Sequence, residues 1–500
     1  MLFRQLLQHT SNYTIGNVLM MVAGLVSFPI LTRVLSVGEY GLMSLVATAL
    51  SLLVGLGKLG MQHSTLRFHS EMQAGTRQTD PEAFLSTSVL GMALLGGVAT
   101  LLWAVASQWV PESWWNDPRV RPLMLLTSVL ILVRVFDSAL INQLRAQERS
   151  GVVMVYSVLR RYASLALLLA VLFYVAGDVW GFYGATIAGE LLATLVLAVW
   201  MFRRAPPRLR AFSPPLFRAM LAFGVPMIGL ELSAVVLAIG DRYIIESHFG
   251  PEAVGVYSAA YNLCDYVKAM LFVSLVAAAQ PMYLRLWSQQ GAGATTDFLE
   301  RFMHLYTMAA MLVVGGMAAI GGELLDLLAS EKYRAGAPAI PGLMAAMAIE
   351  SVVLITGAGL YLQKRTRTML LLTVTSAVVN LALNAVLVPR LGLIGASVSS
   401  LASFVLLMAS GRFLGRHTLP VPVPLGAALK FGTIAAVMYF SVTQIELAHE
   451  STTMLARMLV GLIIYAALSL ACDREARGGL DVVARALGRR GPAGKGNDRR

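Results

Sequence analysis

YTIGNVLMMVAGLVSFPILTRVLSVGEYGLMSLVATALSLLVGLGKLGMQ, residues 13–62, holds two apolar blocks around a short polar break at Arg33–Glu39. Each block matches the ~20 residues that a helix needs to cross ~30 Å of hydrocarbon, so the stretch predicts two membrane spans joined by a tight turn. The same rhythm continues to Cys472. About fourteen spans are expected on this length criterion, at 13–35, 40–62, 84–109, 122–144, 154–176, 180–202, 216–239, 254–284, 302–328, 338–362, 368–388, 392–414, 424–446 and 454–472. The span at 254–284 exceeds a perpendicular crossing and is expected to tilt or to extend past the headgroups. The fold class is therefore an all-α polytopic membrane protein.

Composition agrees. Of 500 residues, 57% are hydrophobic and only 13% charged, too few charges to cover a soluble surface. The net charge of +12 is placed in loops beside apolar spans, which points to membrane lipids and topology rather than to nucleic acid. Cys264 and Cys472 are far apart and in apolar surroundings, a pattern without metal spacing or a disulfide framework. No small-residue cleavage site follows the first apolar stretch, so it is expected to be a retained helix. No metal or organic cofactor is expected.

An even span count puts both termini on one side. With that side as the cytoplasm, about 25 Lys/Arg fall in cytoplasmic segments and about 7 in the opposite loops, the bias expected of short loops. The strongest basic cluster is Arg203, Arg204, Arg208, Arg210 and Arg218, around two proline pairs. It marks the main boundary, giving expected units at 1–211, 212–418, 419–472 and a basic cytoplasmic tail at 473–500. No loop exceeds roughly twenty residues, which leaves no room for a folded extramembrane catalytic domain. The stretch Trp109–Trp115 reads as an interfacial aromatic anchor, and 480–490 as a short basic amphipathic helix or a disordered tail.

A weak internal repeat aligns Thr32-Arg33-Val34-Leu35 and Glu39-Tyr40-Gly41-Leu42-Met43-Ser44 with Asp241-Arg242-Tyr243-Ile244 and Ala253-Val254-Gly255-Val256-Tyr257-Ser258. Six spans separate the copies, so both keep the same orientation. Transporters use such parallel repeats to place a substrate path between two halves.

These stretches resemble the polysaccharide or oligosaccharide-lipid flippase family, within the superfamily shared with multidrug and toxin extruders. The matching residues are Phe28-Pro29-Ile30-Leu31-Thr32-Arg33-Val34-Leu35 with Glu39-Tyr40-Gly41; Gly240-Asp241-Arg242 with Val254-Gly255-Val256-Tyr257-Ser258; and Asn380-Leu381-Ala382-Leu383-Asn384 with Pro389 and Gly392-Leu393-Ile394-Gly395. The resemblance implies two six-helix lobes around a V-shaped cavity, plus two C-terminal helices, working by alternating access. It implies movement of an undecaprenyl-diphosphate-linked glycan across the bacterial inner membrane. A polysaccharide polymerase and export machinery are the implied partners. The motif residues Pro29, Arg33, Gly41, Asp241, Arg242, Gly255, Asn380 and Asn384 are expected to be structural.

Charges inside the spans are the candidate site, because each costs about 2.5–3.5 kcal/mol to insert unless it meets a partner or water. Lys58, flanked by Gly55, Gly57 and Gly60, either faces substrate or snorkels to the surface. Arg134 and Asp137 share a helix face at i, i+3 and are expected to pair. Either the pair merely makes the helix insertable, or Arg134 presents its fork to a diphosphate. Asp265 and Lys268 repeat this spacing in reverse order, with Lys268 as a second anion contact. Glu231 and Glu350 lack partners at i±3 or i±4 and are candidates for proton or sodium coupling. Glu323 and Asp326 are expected to be solvated, and Arg160 and Arg161 to be topology markers or a cavity mouth. Asn380 and Asn384 share a face and are expected to bond to neighbouring helices, while Pro29 and Pro226 mark bending points.

Three functions compete. A lipid-linked oligosaccharide flippase accounts for the cations. A cation-coupled multidrug exporter of the same fold requires carboxylates, yet the first span has no acid before Glu39. A membrane glycosyltransferase or polymerase requires a metal-binding acidic motif or a large outer loop. No GxxxxGK[ST] occurs, which argues against direct ATP drive.

Overall fold

The computed structural model describes residues 2–477 except 110, 112–115 and 364, and side chains from Ile15 onward. The described residues contain helices and no strand. In the first part of the chain these are α1 (Leu2–Val34), α2 (Val37–Lys58), α3 (Met61–Gln73), α4 (Pro81–Trp109), α5 (Val120–Thr127), α6 (Val129–Ala146), α7 (Ser150–Tyr174) and α8 (Val179–Phe202). In the second they are α9 (Pro214–Ile239), α10 (Asp241–Lys268), α11 (Ser274–Leu328), α12 (Ile340–Thr356), α13 (Ala358–Leu362), α14 (Thr366–Leu391) and α15 (Leu393–Gly415). α16 (Leu425–Thr443) and α17 (Glu450–Cys472) follow.

Among the described residues, twelve helical runs are long and apolar enough to span a membrane. One is the 115-residue run Pro214–Leu328, which takes in the expected spans at 216–239, 254–284 and 302–328. The expected loops between them are helical instead. The chain bends at single residues: Gly250 (φ 78°) in α10 and Gly291 (φ 79°) in α11. Only glycine takes such a positive φ without strain, so each kinks the path without a long connection. The aromatic anchor at Trp109–Trp115 falls mostly outside the described residues, as does the expected helix at 480–490.

Local chemistry sets the helix ends. Ser36 and Glu39 form a reciprocal capping box at the start of α2, satisfying two otherwise orphan N–H groups. Asp178 accepts from the Gly181 amide (2.8 Å) to begin α8. Ser213 caps α9 ahead of Pro214, a residue preorganised for a first helical turn. Beyond α17, Asp473 accepts from Lys430 (2.8 Å) and lies 3.0 Å from His304 Nε2. Burial opposes ionisation of this carboxylate, but Lys430, the Ala476 amide and His304 outweigh it and hold its pKa at about 2. That knot binds the end of α17 to α11 and α16.

The two parts of the chain meet where α2 crosses α10. A Cβ on Gly41 would lie 1.8 Å from the Pro251 carbonyl oxygen, and one on Gly255 would lie 2.1 Å from that of Val37. The contact is reciprocal: each glycine faces the residue four before the other. One turn on, the Ser44 and Ser258 hydroxyls hydrogen-bond at 2.7 Å. The two repeat copies therefore pack against each other, with the small residues that let membrane helices approach closely.

Candidate functional site

At the end of the molecule marked by the α1–α2 turn, polar groups stitch the two parts together. Arg33 donates to the carbonyls of Leu327 (2.7 Å) and Leu328 (3.0 Å) at the end of α11. In return Lys332 donates to the Leu35 carbonyl (2.7 Å), just past α1. Helix C-termini carry partial negative charge, so each half caps a helix of the other. Asn262 donates to the Tyr40 hydroxyl across the seam (2.8 Å), and within α10 Arg242 donates to Ser258 (3.2 Å). Lys332 was not singled out from sequence; its signal is a cation shortly after a helix end.

Within the first part, the structure separates the expected Arg134–Asp137 pair. Arg134 instead makes a bidentate bridge to Glu190 on α8, with two N–H···O bonds of 2.8 Å. Asp137 is buried and accepts from Tyr156 and Arg160 of α7. A cross-helix partner at good fork geometry displaces the i, i+3 neighbour, since bidentate guanidinium–carboxylate bonds are the stronger choice. Arg160 is thus part of the buried network. Glu190 was overlooked in the sequence, although a lone acid midway along an apolar span is itself a signal.

In the second part Lys268 bridges Asp265 (2.8 Å) as expected, and also Glu350 of α12 (3.2 Å). Glu350 is therefore not the lone acid expected. Nor is Glu231, which accepts from Gln62 (2.7 Å) and lies 3.7 Å from His63 Nε2 on α3. Both partners come from distant helices, beyond the reach of spacing rules. Lys58, half-buried at the end of α2, lies within electrostatic reach of Glu231, Arg145 and Asp137. The chain breaks there at Leu59 and Gly60, with Gly60 (φ 71°) backed against the Gly224 carbonyl. Glu323 and Asp326, expected in solvent, are paired with Arg457 and Arg334 (3.2 Å for the latter). The extra helix α17 supplies Arg457, which leaves Glu323 paired and half-buried.

Asp241 is buried, with Oδ2 bonded to Tyr257 and Oδ1 unpartnered. Leu381 of α14 packs beside Gly240, and on α14 the fully buried Asn380 and Asn384 bond to each other (3.0 Å), not to neighbouring helices as expected. They leave Asn380 Nδ2 and Asn384 Oδ1 unpartnered. Orphan buried polar atoms are costly, so this column has unmet bonding capacity.

The sequence model of the family described as "Polysaccharide biosynthesis protein" matches residues 6–287. The chain belongs to that family. No curated protein matches it in sequence. Among solved structures, one described as "Lipid II flippase MurJ, inward closed conformation" superposes with a TM-score of 0.74 at 12% identity, covering 93% of this chain and 99% of that one. An inward-facing multidrug resistance MATE family transporter of the MOP superfamily gives 0.63 at 15% identity, covering 79% and 97%. A MOP superfamily transporter from Pyrococcus furiosus Vc1 gives 0.57 at 16% identity, covering 82% and 92%. At these identities the likeness is one of fold.

For this polysaccharide biosynthesis family member, the pairings define what the charges can do. Arg134 spends two of its five N–H donors on Glu190 and keeps 29% of its side chain exposed. Lys268 spends two of three, with 14% exposed. Lys58 has no hydrogen-bond partner among the described residues, and exposed Arg161 donates to Ser27 (3.5 Å). Spare donors therefore remain on all four cations, two of which are already ion-paired.

Proposed function

We propose that this protein flips a polyprenyl-diphosphate-linked oligosaccharide across the bacterial inner membrane by alternating access, for surface polysaccharide assembly. The observation that carries the reading is that intramembrane cations from both halves, Lys58, Arg134 and Lys268, retain unused donors. Asp137 and Asp265 orient the neighbouring cations. The diphosphate docks on the spare donors, the sugars cross through a hydrated path, and the prenyl chain stays in lipid. Units 1–211 and 212–418 part and close again at the Gly41–Gly255 crossing, 419–472 follows the second unit, and both termini face the cytoplasm. Membrane lipids surround the bundle, and a polymerase receives the product. Family membership and the flippase and transporter folds of its structural neighbours favour a carrier over an enzyme.

Ion coupling belongs to the same proposal. Glu231 and Glu350 are the titratable candidates for a proton. Sodium, which takes carboxylate oxygens, is the alternative coupling ion at the same two acids.

One observation favours a second reading, export of organic cations. Lys268 sits between two carboxylates, and Glu350 also lines an apolar pocket of about 360 Å³. The two readings separate in proteoliposomes holding the purified protein and a fluorescent undecaprenyl-diphosphate oligosaccharide. Lectin access to the far leaflet should rise with time for a flippase. No rise, together with drug resistance conferred on a sensitive strain, refutes the flippase reading.

A further inference from the structure

Helices α3, α4, α6 and α8 all reach one face of the molecule beside the 203–213 connector. A groove of about 590 Å³ opens among them. It runs into a smaller one of about 150 Å³, the two sharing walls at Leu85, Gln147 and Arg204. The walls are apolar at Phe84, Leu144 and Trp200. The rim is basic. Arg149 and Arg204 are exposed, and neither has an ion-pair partner among the described residues; Arg204 lies over the Trp200 ring at 5.5 Å. Arg208 is occupied by Glu82 (3.0 Å).

Two unpaired guanidiniums over apolar walls, where helices leave the bilayer, are the complement of a phosphodiester with hydrocarbon chains. Trp200 at that level is the usual interfacial side chain. We propose that this groove is a binding site for an anionic phospholipid, its phosphate held by Arg149 and Arg204 and an acyl chain lying along Leu85, Leu144 and Trp200. The site belongs wholly to the first half and its connector, apart from the intramembrane charges. The connector is already pinned to α4 by the Arg208 amide on Ser86 (3.0 Å) and the Ser213 amide on Thr87 (2.9 Å). A lipid bound there braces the joint between the halves.

Native mass spectrometry of the full-length protein in detergent tests this, titrating phosphatidylglycerol against phosphatidylcholine. The wild type should retain phosphatidylglycerol by about tenfold or more over phosphatidylcholine, given two basic contacts. Arg149→Ala/Arg204→Ala should erase that preference, and Arg210→Ala, outside the groove, should keep it. Gln147→Glu, which puts a negative charge in the shared wall without removing an arginine, should also erase it; an unchanged melting temperature shows that the variants fold. Equal binding of the two lipids by the wild type, or preference retained in both groove variants, overturns the proposal. Displacement of the lipid by millimolar inorganic phosphate overturns it too, by assigning the groove to a free anion.

Discussion

Arg134 and Glu190 illustrate how one substitution confounds folding with function. Arg134→Ala leaves the half-buried Glu190 without its partner, a loss of roughly 1–3 kcal/mol once the partial exposure of both groups is discounted. Export should fail, but so should some of the stability. Removing both, as Arg134→Ala/Glu190→Ala, should restore the melting temperature to near wild type while glycan export stays lost. Recovery of export in the double variant would make the pair purely structural. The sequence located Arg134 and Lys268 inside spans and was right about Asp265. It missed the partners Glu190, Glu350, Tyr156 and Arg160, because each comes from another helix, and spacing along one helix carries no information about its neighbours.

At the scale of elements, two ties are open to measurement. The Asp473 knot holds α17 to α11 and α16. The carboxyl is held at about 2 in the folded protein, against ~3.9 when unfolded. Its contribution is therefore complete above roughly pH 4 and lost as pH falls toward 2. Asp473→Asn should lower the melting temperature by roughly 2 °C or more at pH 5, with the gap to wild type closing below pH 4. A gap that widens on acidification contradicts this account. The second tie is the exchange of helix caps by Arg33 and Lys332. Lys332→Ala strands the Leu35 carbonyl, and should speed maleimide labelling of a cysteine placed at Ser44. The apolar rhythm made the helices themselves readable, and the repeat marked Gly41 and Gly255 as equivalent positions without showing that they meet. The helical stretches around Gly250 and Gly291 were not foreseen, since polar helix and polar loop look alike in composition.

For the whole molecule, the reciprocal crossing of α2 and α10 predicts a lock. With Cys264 and Cys472 replaced, Ser44→Cys/Ser258→Cys places two thiols where hydroxyls now touch at 2.7 Å, within reach of a disulfide. Oxidation should stop flipping, and reductant should restore it. Transport that continues with the bond formed would show that this end never opens. The all-helical membrane fold was legible from the apolar rhythm, whereas which end is sealed depends on contacts between residues more than two hundred positions apart.

Lys268 faces two acids, so with all three ionised this cluster carries one uncompensated negative charge. Any motion that carries this group across part of the membrane's electric field is electrogenic. A full crossing is worth about 2.3 kcal/mol per 100 mV, so an interior-negative cell would drive the empty carrier toward its outward-open form. Glu350→Gln should abolish that voltage sensitivity, seen as the loss of a capacitive current on a solid-supported membrane.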